Sequence, residues 1–434
     1  MPSFAVRNFG CRVNRAEAFA WAEEFHSRGH RFGEDWRGSD IVVVNSCTLT
    51  GRADRDVRKF IRAVSRESPG SRIVVTGCLA ERVPAEVAAL PGVAAVLPQS
   101  DKAGLAGKVL LLAGERGSGA GGATDGRPAE AEGGDAGLDG SAAPRARAYL
   151  KIQDGCEGGC AYCVIPSVRG PSRSVPSGDV AASARGLAGR GYREIVLAGI
   201  HLSSYGRDLV PRVTLPELLA EIGAAASPAR IRLSSLDPRN VSDELLGRVA
   251  GDGTICPHVH LALQHASSRM LRLMGRPAEA GSYDRLLDEL ARRAPEAALG
   301  ADFMVGFPEE TKGDFEEMRG LLERSPLTYA HVFPFSPRPG TPAEARPRVP
   351  AAVVTERAGV LRRAAAAKDY RFRRRFLGRA LEGVVISNSD RGGEVLTGNA
   401  IRVLVPLCRA PRRERVRVSV RRVLPGRTEG EIVT

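Results

Sequence analysis

The chain has 434 residues, 43% of them hydrophobic, and a formal charge of +13. That much apolar material fits roughly two to four ordinary cores and excludes a disordered chain, and no run approaches the length of a membrane span. Met1-Pro2-Ser3-Phe4 carries no basic n-region and no long apolar segment after it, so no secretory signal is read there, and cysteines grouped as for metal fit a reducing cytoplasm better than a disulfide framework.

Three apolar runs open the chain: Phe4-Ala5-Val6, Ile41-Val42-Val43-Val44 and Ile73-Val74-Val75. Their β-branched residues do not alternate with polar ones, which predicts strands buried on both faces. Helical patterns follow at 15–28, 52–67 and 84–90, so the spacing predicts strand-loop-helix repeats and a mostly parallel sheet. Each run leads to a cysteine: Cys11, Cys47 and Cys78. Loops after parallel strands gather at one sheet edge, where ligand sites form, so these cysteines are expected to meet there. Three unrelated core cysteines are the alternative. Residues 114–145 are Gly, Ala, Ser, Asp and Glu with almost nothing large and apolar, the composition of a flexible linker or insertion.

The run Cys156-Glu157-Gly158-Gly159-Cys160-Ala161-Tyr162-Cys163 can put three thiolates on one metal centre from a single loop. A structural zinc site needs four ligands, and no second close-spaced Cys or His pair follows. A redox pair of Cys160 and Cys163 leaves Cys156 idle and lacks a thioredoxin-like context. Thiolates are the usual holders of iron-sulfur clusters, and three of them on a four-iron cube leave one iron open to an exogenous ligand.

Beyond the linker, strand-like runs recur at 148–153, 194–198, 230–233, 258–263, 301–305 and 330–335. Helical patterns at 179–190, 215–225, 241–249, 283–293 and 311–325 separate them. Six strand-helix units predict a partial barrel with chemistry at the carboxyl ends of its strands, and Cys156 sits just past the first. Other post-strand residues fall at the same end. Gly199 lets backbone approach a ligand, Ser235 and Asp237 are placed to address a ribose, and Gln264 closes the fourth strand. Gly306 begins a turn into a helix whose amino end favours an anion. His201, His258, His260 and His265 read as structural. Cys256, before Pro257 at a strand entrance, and Cys408, in a basic strand, read as packing residues.

From Arg371 to Thr434 there are 15 Arg, no Lys and 6 acidic residues, a net +9 of the chain's +13. Short β runs at 381–386, 401–405 and 416–423 predict a small basic barrel, suited to nucleic acid because Arg neutralises phosphates and stacks on bases.

The cysteine triplet with Tyr162 before its last member resembles the motif of radical S-adenosylmethionine (SAM) enzymes. Gly10-Cys11-Arg12-Val13-Asn14, Asn45-Ser46-Cys47-Thr48-Leu49-Thr50-Gly51-Arg52-Ala53-Asp54 and Val75-Thr76-Gly77-Cys78-Leu79-Ala80 are similar to the three motifs of the methylthiotransferase amino-terminal domain. The last segment, clearest at Thr397-Gly398-Asn399-Ala400-Ile401-Arg402-Val403, resembles a TRAM domain. The resemblance implies an α/β protein: a parallel α/β amino-terminal domain at 1–113, the linker at 114–145, a partial (β/α)6 radical SAM barrel at 146–370 and a small TRAM-like β-barrel at 371–434. It implies two 4Fe-4S clusters. Cys156, Cys160 and Cys163 hold the one whose open iron chelates SAM and whose electron cleaves it to a 5'-deoxyadenosyl radical. Cys11, Cys47 and Cys78 hold an auxiliary one for sulfur delivery. Tyr162, Gly199, Ser235, Asp237, Gln264 and Gly306 fall in the SAM-binding loops.

The implied reaction turns a carbon-hydrogen bond into carbon-SCH3, with one SAM as radical source and another as methyl donor. Cys-Arg-Val-Asn at Cys11, Arg232-Leu-Ser-Ser and His331-Val-Phe-Pro-Phe-Ser-Pro-Arg-Pro-Gly-Thr-Pro resemble the branch that acts on threonylcarbamoyladenosine of tRNA. Isopentenyladenosine of tRNA and an aspartate of a small-subunit ribosomal protein are the substrates of the sister branches. Expected partners are a tRNA anticodon stem-loop and an electron donor such as flavodoxin or ferredoxin, in the cytoplasm. Glu157-Gly158-Gly159, Glu309 and Gln264-His265-Ala266 depart from the family pattern. A cluster-bearing RNA-binding redox sensor is the reading from another class.

Overall fold

The structure, a computed structural model, describes residues 2–33, 35–114, 146–279, 281–390 and 392–433; the expected linker at 114–145 lies, apart from Gly114, outside them. It divides into two compact units, Met1–Pro144 with Ser167–Arg169, and Arg145–Pro166 with Gly170–Thr434.

The first unit is built on strands β1 (Ser3–Asn8), β2 (Arg31–Gly33), β3 (Ile41–Ser46), β4 (Arg72–Gly77) and β5 (Val93–Val96). They pair in the order β2-β1-β3-β4-β5, all parallel. The predicted double-sided burial holds: every residue of β3 is buried. Ile41 and Val43 join Phe4, Trp21 and Phe25 on one face, beneath the helix Arg12–Ser27. Val42 and Val44 join Val57, Ile61 and Leu79 on the other, beneath the helix Gly51–Glu67. Each such Val or Ile contributes about 1.5–3 kcal/mol by leaving water, so a sheet clad on both sides needs unbroken apolar runs rather than alternation.

The second unit begins with β6 (Ala148–Asp154), the short β7 (Arg173–Ser174), β8 (Glu194–Gly199), β9 (Arg230–Leu233), β10 (His258–Gln264), β11 (Ala298–Val305) and β12 (Tyr329–Pro334). β6, β8 and β9 run parallel, as do β10, β11 and β12, and the two groups are joined by parallel bridges from Ile231 to Ile255 and from Leu236 to Leu261. This is the six-strand partial barrel the sequence predicts, with antiparallel β7 beside β6. The helices Leu215–Ala225 and Lys312–Arg324 start on capping boxes, Thr214 with Glu217 and Thr311 with Asp314, each satisfying orphan N–H groups. The helix Ala351–Arg374 was not anticipated; its buried positions include Ala358 and Ala365, too small to mark an apolar face in the sequence.

The carboxy-terminal strands β13 (Ala380–Ser389), β14 (Gly392–Thr397), β15 (Arg402–Val405), β16 (Arg415–Leu424) and β17 (Arg427–Val433) close into a TRAM-like barrel in the order β13-β14-β15-β17-β16. Val385, Val395, Val403 and Val418 fill it, with Phe372 and Phe376 packed against them. Cys408, expected in a strand, lies in the loop after β15, and it packs against this core. The amino-terminal end of the (β/α)6 barrel is tied to this small barrel by a buried ion pair. Glu194, 0% exposed, takes two hydrogen bonds of 2.8 Å from Arg232, which also donates to the Thr397 and Gly398 carbonyls at 3.0 Å. No helix of the described residues is long and apolar enough to cross a membrane.

Candidate iron-sulfur and SAM sites

In the first unit the loops after β1, β3 and β4 crowd together because two glycines allow it. Gly10 has φ +96, and a Cβ there would strike the Cys47 side chain; Gly77 has φ +98, and a Cβ there would strike the Ser46 backbone. Only glycine takes these left-handed conformations at little cost. Cys11 thereby ends up at the start of the helix Arg12–Ser27, Cys47 just past β3, and Cys78 at the start of the short helix Cys78–Arg82. The three thiols share one electrostatic neighbourhood. Burial pushes Cys47 up to about 12, and the charge of Cys11 adds to it; burial likewise pushes Cys11 up, with Cys78 contributing. Cys78 Sγ accepts from Gln99 Nε2 at 3.5 Å and from Arg169 Nε at 3.3 Å.

Three thiols gathered in a buried site can ionise together only with a cation beside them; a metal centre displaces their protons and compensates the thiolate charge, which fits the donor set to a thiolate-bound cluster.

In the second unit the loop after β6 carries the other triplet. Gly155 has φ +69, and a Cβ would strike the Pro171 carbonyl; Gly275 has φ +69, and a Cβ would strike the Gly159 carbonyl. The loop is pinned by Cys156 N to Gly170 O at 3.0 Å and Ala161 N to Met274 O at 3.0 Å. Gln153 Nε2 donates to Gly155 O at 2.8 Å. Backbone N–H groups of Gly158 and Ile165 donate to the sulfurs of Cys156 and Cys163 at 3.2 and 3.4 Å. Arg276 Nη1 lies 3.6 Å from Cys160 Sγ. Burial pushes the Cys163 thiol up to about 12, with the charges of Cys160 and Cys156 adding to it. Burial raises Cys156 as well. Donors aimed at three sulfurs gathered in one loop again fit a cluster.

The expected SAM-loop residues fall around this loop with different engagements. Tyr162 packs edge-on against Phe307, ring centroids 6.4 Å apart, on a floor that includes Met270, Met274 and Met304. A Cβ at Gly199 would be a tight fit, 3.1 Å from Gln153 Oε1, which accepts from His201 N at 2.8 Å. Ser235 Oγ meets His260 Nδ1 at 2.9 Å. Asp237 is held by Arg239 at 2.7 Å and Arg276 at 3.0 Å; burial works to raise its carboxyl, and these two cations hold it below its usual value. Gln264 is buried with φ +69 at a register shift between β10 and β11, and its Oε1 is buried without a hydrogen-bond partner among the described residues. A strained residue with an orphaned acceptor is the kind of feature a bound cofactor resolves. Gly306 N donates to Glu310 Oε2 at 2.8 Å, and the helix after it is capped by Thr311 and Asp314, so these groups satisfy that turn internally.

Several residues near these sites escaped the sequence reading. Arg169, Glu17 and Lys102 lie beside the first triplet, Arg239 and Arg276 beside the second. His201 Nδ1 lies 3.9 Å from Cys156 Sγ and its Nε2 3.6 Å from Asp237. On the face of β10, β11 and β12 opposite the buried Val259, Leu261, Leu299 and Ala301 stand His260, Asp302 and His331. Asp302 Oδ1 is 3.4 Å from His260 Nε2 and 3.3 Å from His331 Nδ1, and His331 is 59% exposed. Gly300 makes room for the Tyr329 ring, whose centroid is 5.7 Å from that of His260. A polar line thus runs from exposed His331 through Asp302 and His260 to Ser235, two residues before Asp237. Period-two alternation was the signal for it, masked by short runs.

Comparison with known proteins gives this geometry a family. Residues 3–98 match the model described as Uncharacterized protein family UPF0004, and residues 150–322 match the Radical SAM superfamily. The chain is 32% identical over 381 residues to a threonylcarbamoyladenosine tRNA methylthiotransferase of Thermotoga maritima, covering 87% of this chain and 85% of that one. It is 34% identical to a relative of the same description from Bacillus subtilis, covering 79% and 75%. A ribosomal protein uS12 methylthiotransferase of Roseiflexus is 33% identical, covering 92% and 89%. Among solved structures, the radical SAM methyltransferase TsrM of Kitasatospora setae shares the fold, with a TM-score of 0.55 and 14% identity over 79% of this chain and 77% of that one. The chain therefore belongs to the radical SAM methylthiotransferases, enzymes that work with SAM and two 4Fe-4S clusters.

Proposed function

We propose that this enzyme adds a methylthio group to carbon-2 of threonylcarbamoyladenosine at position 37 of tRNA. In this reading Cys156, Cys160 and Cys163 hold the radical-generating cluster, Cys11, Cys47 and Cys78 hold the auxiliary one, and Gln264, Ser235 and Asp237 face SAM. When bound, SAM and the clusters supply a carbon radical, sulfur and a methyl group. Arg276 and Arg239 fix the Asp237 carboxylate, and the Gln153 amide fixes the loop and His201 together.

The observation that carries the substrate is the polar line His331–Asp302–His260–Ser235. A threonylcarbamoyl group brings an amide, a hydroxyl and a carboxylate to such a wall. An isopentenyl group is hydrocarbon and would cover the exposed His331 end of that wall without replacing its water, which costs roughly 1–3 kcal/mol. The net +9 of the last 64 residues suits RNA phosphates. The ribosomal-protein aspartate is the second reading, favoured by the likeness to the Roseiflexus enzyme. A flavodoxin or ferredoxin in the cytoplasm fits as electron source.

Nucleoside mass spectrometry of tRNA from cells lacking the protein tests this: 2-methylthio-threonylcarbamoyladenosine disappears and threonylcarbamoyladenosine accumulates. Unchanged tRNA with loss of the modified ribosomal aspartate selects the second reading. In purified enzyme, His331→Ala is expected to lower kcat/KM for the tRNA about 10–150-fold, the loss of one hydrogen bond to a charged group at about 1.5–3 kcal/mol. Release of 5'-deoxyadenosine without tRNA should stay unchanged. An equal fall in both would place His331 in SAM binding instead.

A further inference from the structure

We propose that Arg169 is the counter-charge of the amino-terminal thiolate site, a positioning residue that sets the electron affinity of the centre there and its hold on an anionic sulfur ligand; this rests on the reading of Cys11, Cys47 and Cys78 as cluster ligands. Arg169 stands six residues past Cys163 in sequence, yet residues 167–169 belong to the first compact unit. Its side chain is 0% exposed. Its three nitrogens are each committed: Nε to Cys78 Sγ at 3.3 Å, Nη1 to Glu17 Oε1 at 3.2 Å, and Nη2 to Asn14 Oδ1. The other Glu17 oxygen takes Lys102 Nζ at 2.6 Å, and Lys102 also donates to Asn45 Oδ1 at 3.1 Å. Asn14 in turn donates to the Phe9 and Ser46 carbonyls at 2.9 Å, on the strand ends that carry Cys11 and Cys47.

Arg169 and Lys102 both reach Glu17 in this network, and the Arg169 guanidinium reaches the Cys78 sulfur as well. A buried guanidinium is costly unless anions face it, and a thiolate-bound centre at Cys78 is such an anion. A 4Fe-4S core of charge 2+ on three thiolates carries −1, and the guanidinium that donates to Cys78 is the group placed to balance it. Arg169 cannot lose its proton, so the charge is permanent. A fixed cation at a cluster sulfur favours the reduced state, which is more negative still, and favours an added sulfide anion; hydrogen bonds to sulfur and net charge are among the levers on cluster potential.

The test uses the full chain carrying Cys156→Ala, Cys160→Ala and Cys163→Ala, so that only the amino-terminal centre is loaded. In this background Arg169→Gln is compared with Arg169→Lys by iron content, by redox titration followed with electron paramagnetic resonance, and by titration with sodium sulfide. Arg169→Gln should shift the reduction equilibrium at least tenfold toward the oxidised state, about 59 mV for one electron, and weaken sulfide binding at least tenfold. Arg169→Lys should restore most of both. If Arg169→Gln loses its iron while Arg169→Lys keeps it, the need for charge is supported. Potential and sulfide affinity within threefold of the parent, or equal loss of iron in both variants, would overturn the proposal. A parent that binds no iron would overturn the ligand assignment, and the proposal with it.

Discussion

Cys160→Ala is expected to reduce 5'-deoxyadenosine release to background, whereas Cys47→Ala should still release it and yet make no methylthiolated product. The two triplets lie in different compact units and are held by different loops, so removing a thiol from one leaves the other's pinning contacts intact. Cys160 accepts from Arg276, the same guanidinium that holds Asp237, so its loss also unsettles the loops proposed to meet SAM. Each variant should retain about four irons, as one remaining cube requires. Thiolated product from both variants would contradict this division of labour.

Glu194→Ala is expected to destabilise the second unit by about 3–5 kcal/mol, because it leaves the Arg232 guanidinium buried without its carboxylate. The pH dependence of the parent follows from the same pair. Burial works to raise the Glu194 carboxyl, but Arg232 and Arg147 outweigh it and hold it at about 2, against an ordinary value of 4.5. The folded value is depressed, so the stabilisation is complete above about 4.5 and drains away as pH falls toward 2. By linkage it amounts to about 3 kcal/mol, taken as an order of magnitude. Urea unfolding of cluster-free protein at pH 7 and pH 4 checks both points: the parent should lose more stability on acidification than Glu194→Gln. Equal pH dependence in parent and variant would show that this carboxylate is not the acid-sensitive link.

The layout was legible where local chemistry repeats. Unbroken apolar runs announced β1, β3 and β4, because a strand clad on both faces has no polar side to show. The spacing of Cys156, Cys160 and Cys163 announced one thiol site, because three thiolates in one loop have few other uses; Cys11, Cys47 and Cys78 were legible only as cysteines following three parallel strands. β14 and β17 escaped because they begin or break on glycines, Gly392 and Gly430, whose backbone approaches Val405 and Ser419 too closely for a side chain. The cations around the thiols escaped for another reason. Arg169, Arg276 and Lys102 look like ordinary charged residues in a chain with 63 Lys and Arg, and only the fold shows which of them are buried. The polar line on β10 to β12 needed three strands in register before its members could be seen as neighbours.

Iron and acid-labile sulfide per chain, counted together with Mössbauer spectra on protein purified and reconstituted without oxygen, test the central claim most directly. About eight irons should be found, all in two four-iron cubes, falling to about four when either triplet is replaced. Zinc in place of iron, or a single cube that survives replacement of Cys11, Cys47 and Cys78, would contradict the account.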